Sequence, residues 1–312
     1  MSEDYPHTLP ELERRFSSEQ ACRQYLFILR WPDGFICPRC SGKTSWPMKR
    51  GLWKCGDCKY QVSVTAGTIF QDSHLPLTVW FRAMWYITSQ KNGMSAQGLQ
   101  RVLGLGSYET AWALLHKLRR AMVRPGRDRL KGTVEVDETY WGGDEEGVVG
   151  RLTEEKALII VAAEEDGKGI GRIRLRRIPD VTKASLHGFI KQAIEPGSTV
   201  KTDGLNAYLG MEGYVHARHV QRRQPEGEHL LPRVHRVVSL LKRWLLGTHQ
   251  GAIGHEHLDY YLDEFTFRFN RRKSASRGKL FYRLVQHAVQ IAPAPYDTIV
   301  KPEVVEYFWT LS

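Results

Sequence analysis

The sequence predicts an α/β protein in which a small metal-binding segment precedes a larger domain with a mixed sheet. Three observations carry this. From about residue 133 the apolar residues take the period of strands, first in three successive runs and then in alternation with helical segments. Four of the five cysteines stand as two CxxC pairs. Between these regions, from Pro76 to about Val123, the period is helical. At 312 residues the chain exceeds a typical domain of roughly 100 to 200, so two or three domains are expected. Hydrophobic residues make up 42% and charged residues 25%, which places the chain among folded proteins. The net charge of +11 favours a polyanionic partner, and nucleic acid is the first expectation. No apolar run approaches the roughly 18 to 20 residues of a membrane helix, and the polar start MSEDYPHTLPELERRF has no apolar leader core, so a cytoplasmic protein is expected.

The segment 1–30 reads as helical, with Cys22 in an apolar run as a buried core thiol. Residues 31–72 hold CPRC (Cys37, Cys40), fourteen residues, then CGDC (Cys55, Cys58). Each CxxC turn sets two thiolates at one vertex, and two such knuckles close a tetrahedral shell around Zn²⁺. Four protein ligands leave no open position, so this zinc is structural. Residues 75–126 carry three helices, the second capped by Ser95 and the third beginning after the GLGS turn. The last two fit a helix-turn-helix, with Lys117, Arg119 and Arg120 expected on the face that meets DNA. The basic linker RRAMVRPGRDRLKG follows.

Segment 130–280 opens with TVEVDETYWGG, KALIIVAAEE and IGRIRLRRIP, read as a three-strand meander. A helix capped by Thr182, a short strand ending at Asp203, another strand at YVHARHV and two closing helices complete the order β-β-β-α-β-α-β-α. That order is the one an RNase H-like fold gives. In it the first and fourth strands lie side by side, which brings Asp137 towards Asp203 although they are 66 residues apart. Phosphodiester chemistry uses such paired carboxylates to hold two divalent ions roughly 3.5 to 4 Å apart. Glu138 is expected on the opposite strand face from Asp137, and Glu135 on the same face as a supporting carboxylate. Residues 281–312 are read as a C-terminal helix and tail.

CPRC, WKCGDCKYQVSVTAGTIF, VDETYWGG, VKTDG, SLLKRWLLGTHQG and HLDYYLDEFTFRFNRR together resemble the zinc-ribbon DDE transposases of bacterial insertion sequences, the ISXO2-like clade, over roughly residues 25 to 285. The resemblance implies an RNase H-like catalytic domain, two Mg²⁺ or Mn²⁺ ions, cleavage at element ends, transfer of the 3′-hydroxyl into target DNA, and a dimer or larger assembly on double-stranded DNA. It also implies a third acid on the last catalytic helix, followed by a serine and, seven residues on, a Lys or Arg. Here Ser239 and Lys242 match, but His235 stands in the acid's place. Asp137, Asp203 and His235 are therefore the expected metal ligands, with Lys242 on the phosphate. A neutral imidazole ligand favours Mn²⁺ over the harder Mg²⁺. Glu226, Glu228 and Glu264 are weaker candidates for the third acid. Arg271 and Arg272, in a run with six basic residues in twelve, are expected to contact phosphates. Two other readings use the same residues: a catalytically inactive or domesticated DNA-binding protein, and a nuclease that cuts without joining.

Overall fold

Strand-forming segments at 133–141, 157–166 and 169–178 give a β-meander whose first strand becomes the middle of a five-stranded sheet. A computed structural model describes residues 3–124, 126–143, 156–220 and 230–301. The chain forms two compact units, one of residues 3–124 with 273–301 and one of residues 126–272.

In the first unit, α1 (Leu9–Arg15) and α2 (Glu19–Arg30) are capped by Thr8 and Ser18. The three-stranded antiparallel ribbon follows, with β1 (Ser45–Pro47), β2 (Leu52–Cys55) and β3 (Gln61–Ser63) in that spatial order. Then come α3 (Leu77–Ser89), α4 (Ala96–Leu103) and α5 (Tyr108–Arg120). Ser95 and Ser107 cap the last two by accepting from Gly98 N–H and Thr110 N–H, both at 3.1 Å. Gly104 ends α4 in the left-handed region at φ 65°, a conformation glycine adopts without strain. Cys22 is fully buried, as expected, and burial pushes its thiol up to about 12.

The second unit holds β4 (Thr133–Trp141), β5 (Ala157–Asp166), β6 (Gly169–Ile178), α6 (Lys183–Ala193), β7 (Thr199–Thr202), β8 (Val215–Arg218), α7 (Pro232–His249) and α8 (Leu258–Asn270). The sheet order is β6-β5-β4-β7-β8, with β4 antiparallel to β5 and parallel to β7. This is the arrangement the strand order predicted, and Asp137 and Asp203 meet because β4 and β7 are neighbours. A helix expected between β7 and β8 is a single 3-10 turn at Asn206–Tyr208. The connection is short and contains Gly204, Gly210 and Gly213, which do not sustain a helix. Ile159, Val161, Ile173 and Leu175 pack with Val234, Val237 and Leu241 of α7 on one sheet face. Leu158, Ile160 and Val136 pack with Leu186 and Ile190 of α6 on the other. β5 is buried on both faces, which is why its sequence runs apolar without alternation.

The chain then returns to the first unit as α9 (Arg277–Ala288) and α10 (Tyr296–Val300). Phe281 of α9 lies 5.6 Å from Phe81 and 6.0 Å from Trp85, ring to ring, both on α3. The expected segment 130–280 thus ends inside α9, and the passage between units falls at 272–273. The basic run through this stretch hides that passage in the sequence, because no change of composition marks it.

At the outer edge of the sheet, Asn270 closes the free backbone of β6. Its Oδ1 accepts from Ile173 N–H at 2.7 Å and its Nδ2 donates to Ile173 C=O at 3.1 Å. The amide acts as a strand partner one residue long. Replacing Asn270 by Ala should destabilise the protein by about 1 to 3 kcal/mol, measured by urea unfolding, because it strands the buried Ile173 N–H, while the Ile173 carbonyl keeps the Arg174 guanidinium. A loss within error of zero would show that water replaces the amide.

Candidate active site

The four ribbon cysteines converge as their spacing predicts, with all four sulfurs within 4.8 Å of one another. Cys37 and Cys58 Sγ are 3.7 Å apart, and Cys40 and Cys55 Sγ are 3.6 Å apart. A tetrahedron with Zn–S bonds of about 2.3 Å has edges of about 3.8 Å, whereas a disulfide is about 2.05 Å. The donor set therefore fits zinc. The residue after each knuckle, Ser41 at φ 60° and Lys59 at φ 58°, turns left-handed, so the two halves use the same local backbone.

In the second unit, Asp137, Glu138 and Asp203 each place a carboxylate oxygen within 4.8 Å of the others. Asp137 lies in β4 and Asp203 follows the last residue of β7, where the 3-10 turn begins. Asp203 Oδ1 accepts from Leu205 N–H at 2.9 Å, and Asp137 Oδ1 accepts from Glu138 N–H at 2.9 Å. Burial, opposed by that hydrogen bond and reinforced by Asp203, holds the Asp137 carboxyl above the usual carboxylate range. Three acids gathered with Asp137 reluctant to ionise are a fitting donor set for a hard divalent cation.

Glu138 was expected to point away. Alternation does root it on the α6 side, with Val134 and Val136. The ladder between β4 and β7, however, covers only Thr133 to Glu135. Beyond it the flank of β4 is open, and the longer glutamate side chain reaches the acid pair there. The buried Tyr208 hydroxyl fixes it by donating to Glu138 Oε2 at 2.9 Å. Burial, with Glu138 adding to it, pushes the Tyr208 phenol well up and keeps its proton in place. The Asp-Glu pair in VDET was the available signal, and strand alternation alone argued against it.

His235, on α7, brings Nε2 to 3.3 Å from Asp137 Oδ2. Its helix starts without a side-chain cap of its own. Glu135 supplies one from the sheet: its buried carboxylate accepts from Arg233 N–H at 2.7 Å and Val234 N–H at 3.0 Å, and pairs with the Arg233 guanidinium at 2.9 Å. The expected supporting role of Glu135 therefore takes a definite form. Ser239 is exposed and Lys242 half-buried, four and seven residues after His235 on the same helix. Glu264 is buried and pairs with Arg268 at 3.3 Å within α8. Glu226 and Glu228 lie outside the described residues.

The basic residues expected on DNA are placed differently. Arg119 is 1% exposed, because the stripe of α5 that packs inward is Ala111, Leu114, Leu115, Leu118 and Arg119. It is a core residue. Lys117 and Arg120 are half-buried, and burial, opposed by Asp72, pushes the Lys117 ammonium down. Arg271 lies 4.0 Å from the Phe267 ring centroid and donates to Phe267 C=O at 3.2 Å. Arg272 donates to Phe269 C=O at 2.9 Å, to Gly171 C=O at 3.2 Å and to Ile170 C=O. This pins α8 to the edge strand β6. Backbone carbonyls thus take up donors that the sequence assigned to phosphates.

A four-thiolate ribbon and a mixed sheet bearing this acid cluster define a class, the DDE-type transposases. Residues 129–270 match the ISXO2-like transposase domain, and residues 17–61 match the transposase zinc-ribbon domain. The chain belongs to the ISXO2-like, zinc-ribbon transposase family. It is 26% identical over 289 residues to an uncharacterised protein in transposable element ISH50 of Halobacterium salinarum, covering 82% of this chain and 92% of that one. Among solved structures it is similar to the simian T-cell lymphotropic virus intasome in complex with the PP2A regulatory subunit B56 gamma. That match has a TM-score of 0.32 and 16% identity, over 65% of this chain and 72% of that one. It is also similar to the Mos1 transposase paired-end complex, with a TM-score of 0.21 and 11% identity, over 70% and 77% of the two chains.

Two variants test this geometry. Glu135→Ala leaves the first N–H groups of α7 without their acceptor, while Arg233 keeps Glu165, and should destabilise by about 1 to 3 kcal/mol in chemical denaturation. A loss below about 1 kcal/mol would mean α7 is held by its apolar stripe alone. For Asp137 the raised carboxyl gives stability below the ordinary carboxylate range and loses it as pH rises through the elevated value. Asp137→Asn should therefore raise the melting temperature at pH 7 in EDTA, with the gain vanishing at acid pH. A lower melting temperature at pH 7 would contradict the burial argument.

Proposed function

We propose that this transposase binds the ends of its insertion sequence and catalyses metal-dependent DNA strand cleavage and strand transfer. The observation that carries the reading is the cluster of Asp137, Glu138 and Asp203 with His235 against Asp137. Divalent ions bound there, two Mg²⁺ or Mn²⁺, would stabilise the attacking and leaving oxygens of the displacement. Asp137 and Asp203 hold them, and Glu138 brings the negative charge that His235 lacks as an occupant of the third acid's place. His235, whose Nε2 lies 3.3 Å from Asp137, would complete the set through a ring nitrogen. Lys242, two helical turns further along α7, faces the phosphate or flanking DNA.

In this reading the zinc ribbon and a helix-turn-helix formed by α4 and α5 bind the duplex element ends. The exposed and half-buried positions of α4 and α5 include Gln97, Arg101, Tyr108, Glu109, Lys117 and Arg120. Paired ends imply a dimer or larger assembly on DNA. Among the described residues no helix is long and apolar enough to cross a membrane, and the cytoplasmic nucleoid is the proposed place of action.

Purified protein should join labelled element-end DNA to a plasmid target, more efficiently in subsaturating Mn²⁺ than in Mg²⁺. Asp137→Ala and His235→Ala should each abolish the joined product. Wild-type protein that shifts the DNA in a gel but neither nicks nor joins it with either metal would replace this reading with that of a DNA-binding protein without catalysis.

A further inference from the structure

The ribbon sheet has two unlike faces. Antiparallel register sets Pro47 opposite Trp53 and Trp53 opposite Val62, so these three share one face. That face is covered: Val62 is 3% exposed, and Trp53 stacks on Phe27 of α2 at 4.0 Å between ring centroids. The same register sets Trp46 opposite Lys54 and Lys54 opposite Gln61, a row of an indole, an ammonium and an amide across all three strands.

Trp46 is 42% exposed, and Lys59 Nζ stands 5.4 Å from its ring centroid. At the zinc end, the exposed Tyr60 ring has the Arg39 guanidinium 6.0 Å from its centroid. Between Cys37 and Gln61 six cations, Arg39, Lys43, Lys49, Arg50, Lys54 and Lys59, face a single acid, Asp57. Five of the chain's eleven excess positive charges thus fall in this short segment, and five of the six cations are exposed. Large exposed rings set among cations do not serve the ribbon's own packing, which the opposite face provides.

We propose that this outer face, centred on Trp46 with Lys54 and Lys59 beside it, is a docking surface for DNA with unpaired bases. A strand carries phosphates for the cations and, where unpaired, free base faces for the rings. Within a duplex the base faces are covered by their neighbours, so an indole on a sheet gains little from it. The inference deepens the transposase reading, in which cleavage at an element end frees a strand terminus whose bases separate beside the cut. It gives the ribbon's share in binding element ends a particular ligand, unpaired bases, and a particular face.

The test uses the full-length zinc-loaded protein and three labelled probes of one sequence: single strand, blunt duplex, and duplex with a single-stranded tail. Affinities come from fluorescence anisotropy across a salt series. Trp46→Ala should weaken binding of the single-stranded and tailed probes about tenfold while changing the blunt duplex by less than about twofold. Trp46→Phe should restore most of the loss, because a ring suffices. Lys59→Ala should lower the salt slope by about one on the tailed probe. Unchanged zinc content and melting temperature show that the exposed substitutions leave the fold intact. If Trp46→Ala leaves the tailed probe unaffected, or weakens all three probes alike, the inference is overturned while duplex binding by the wild type keeps the transposase reading standing. Wild-type protein that binds none of the probes overturns both.

Discussion

The buried carboxylate of Glu135 ties the sheet to the helix that faces it. It sits on the same face of β4 as Asp137, two residues earlier, and accepts hydrogen bonds from the first N–H groups of α7 at Arg233 and Val234. A carboxylate at a helix N-terminus is favoured by the unpaired donors and by the helix dipole. The Arg233 guanidinium neutralises it and reaches on to Glu165 at 3.0 Å and to the carbonyl oxygens of Gly167 and Gly169. One ionic knot thus fixes both the depth and the rotation of α7. Because the knot precedes His235 by one or two residues, the imidazole has little choice but to face Asp137.

The acid cluster works against this stabilising frame. Three carboxylates held within 4.8 Å repel one another, and burial withholds water from Asp137. Strain of this kind persists only where the surroundings over-determine it. Here they do so through hydrogen bonds from Leu205, Glu138 and Tyr208, and through the Glu135 knot beneath. A divalent cation would relieve the repulsion that the fold enforces on this donor set.

The distribution of arginine makes the same point about context. The chain carries a net +11, yet Arg119 is enclosed in the helical core and Arg271 and Arg272 are bound to carbonyl oxygens and rings. Arginine has an apolar stem and five donors, and it closes a helix against an edge strand as readily as it meets a phosphate. The ribbon, with six cations against one acid, holds a large share of the net charge.

The zinc ligands were legible in the sequence, because a CxxC turn fixes its geometry within four residues. So were the caps at Ser95 and Thr182, the strands of the meander and the pairing of Asp137 with Asp203, since each follows from a short-range period or from strand order. What only the tertiary structure decided depends on which surface covers which. Helical period shows that α5 has a stripe but not that Arg119 lies inside it. Alternation sends Glu138 to the far face, and only the end of the β4–β7 ladder opens the flank by which its carboxylate returns. The closing of α9 on α3, the Asn270 amide on β6 and the Glu135 cap on α7 join residues from 97 to 200 positions apart. Such contacts are selected by packing among whole elements, and no local pattern encodes them.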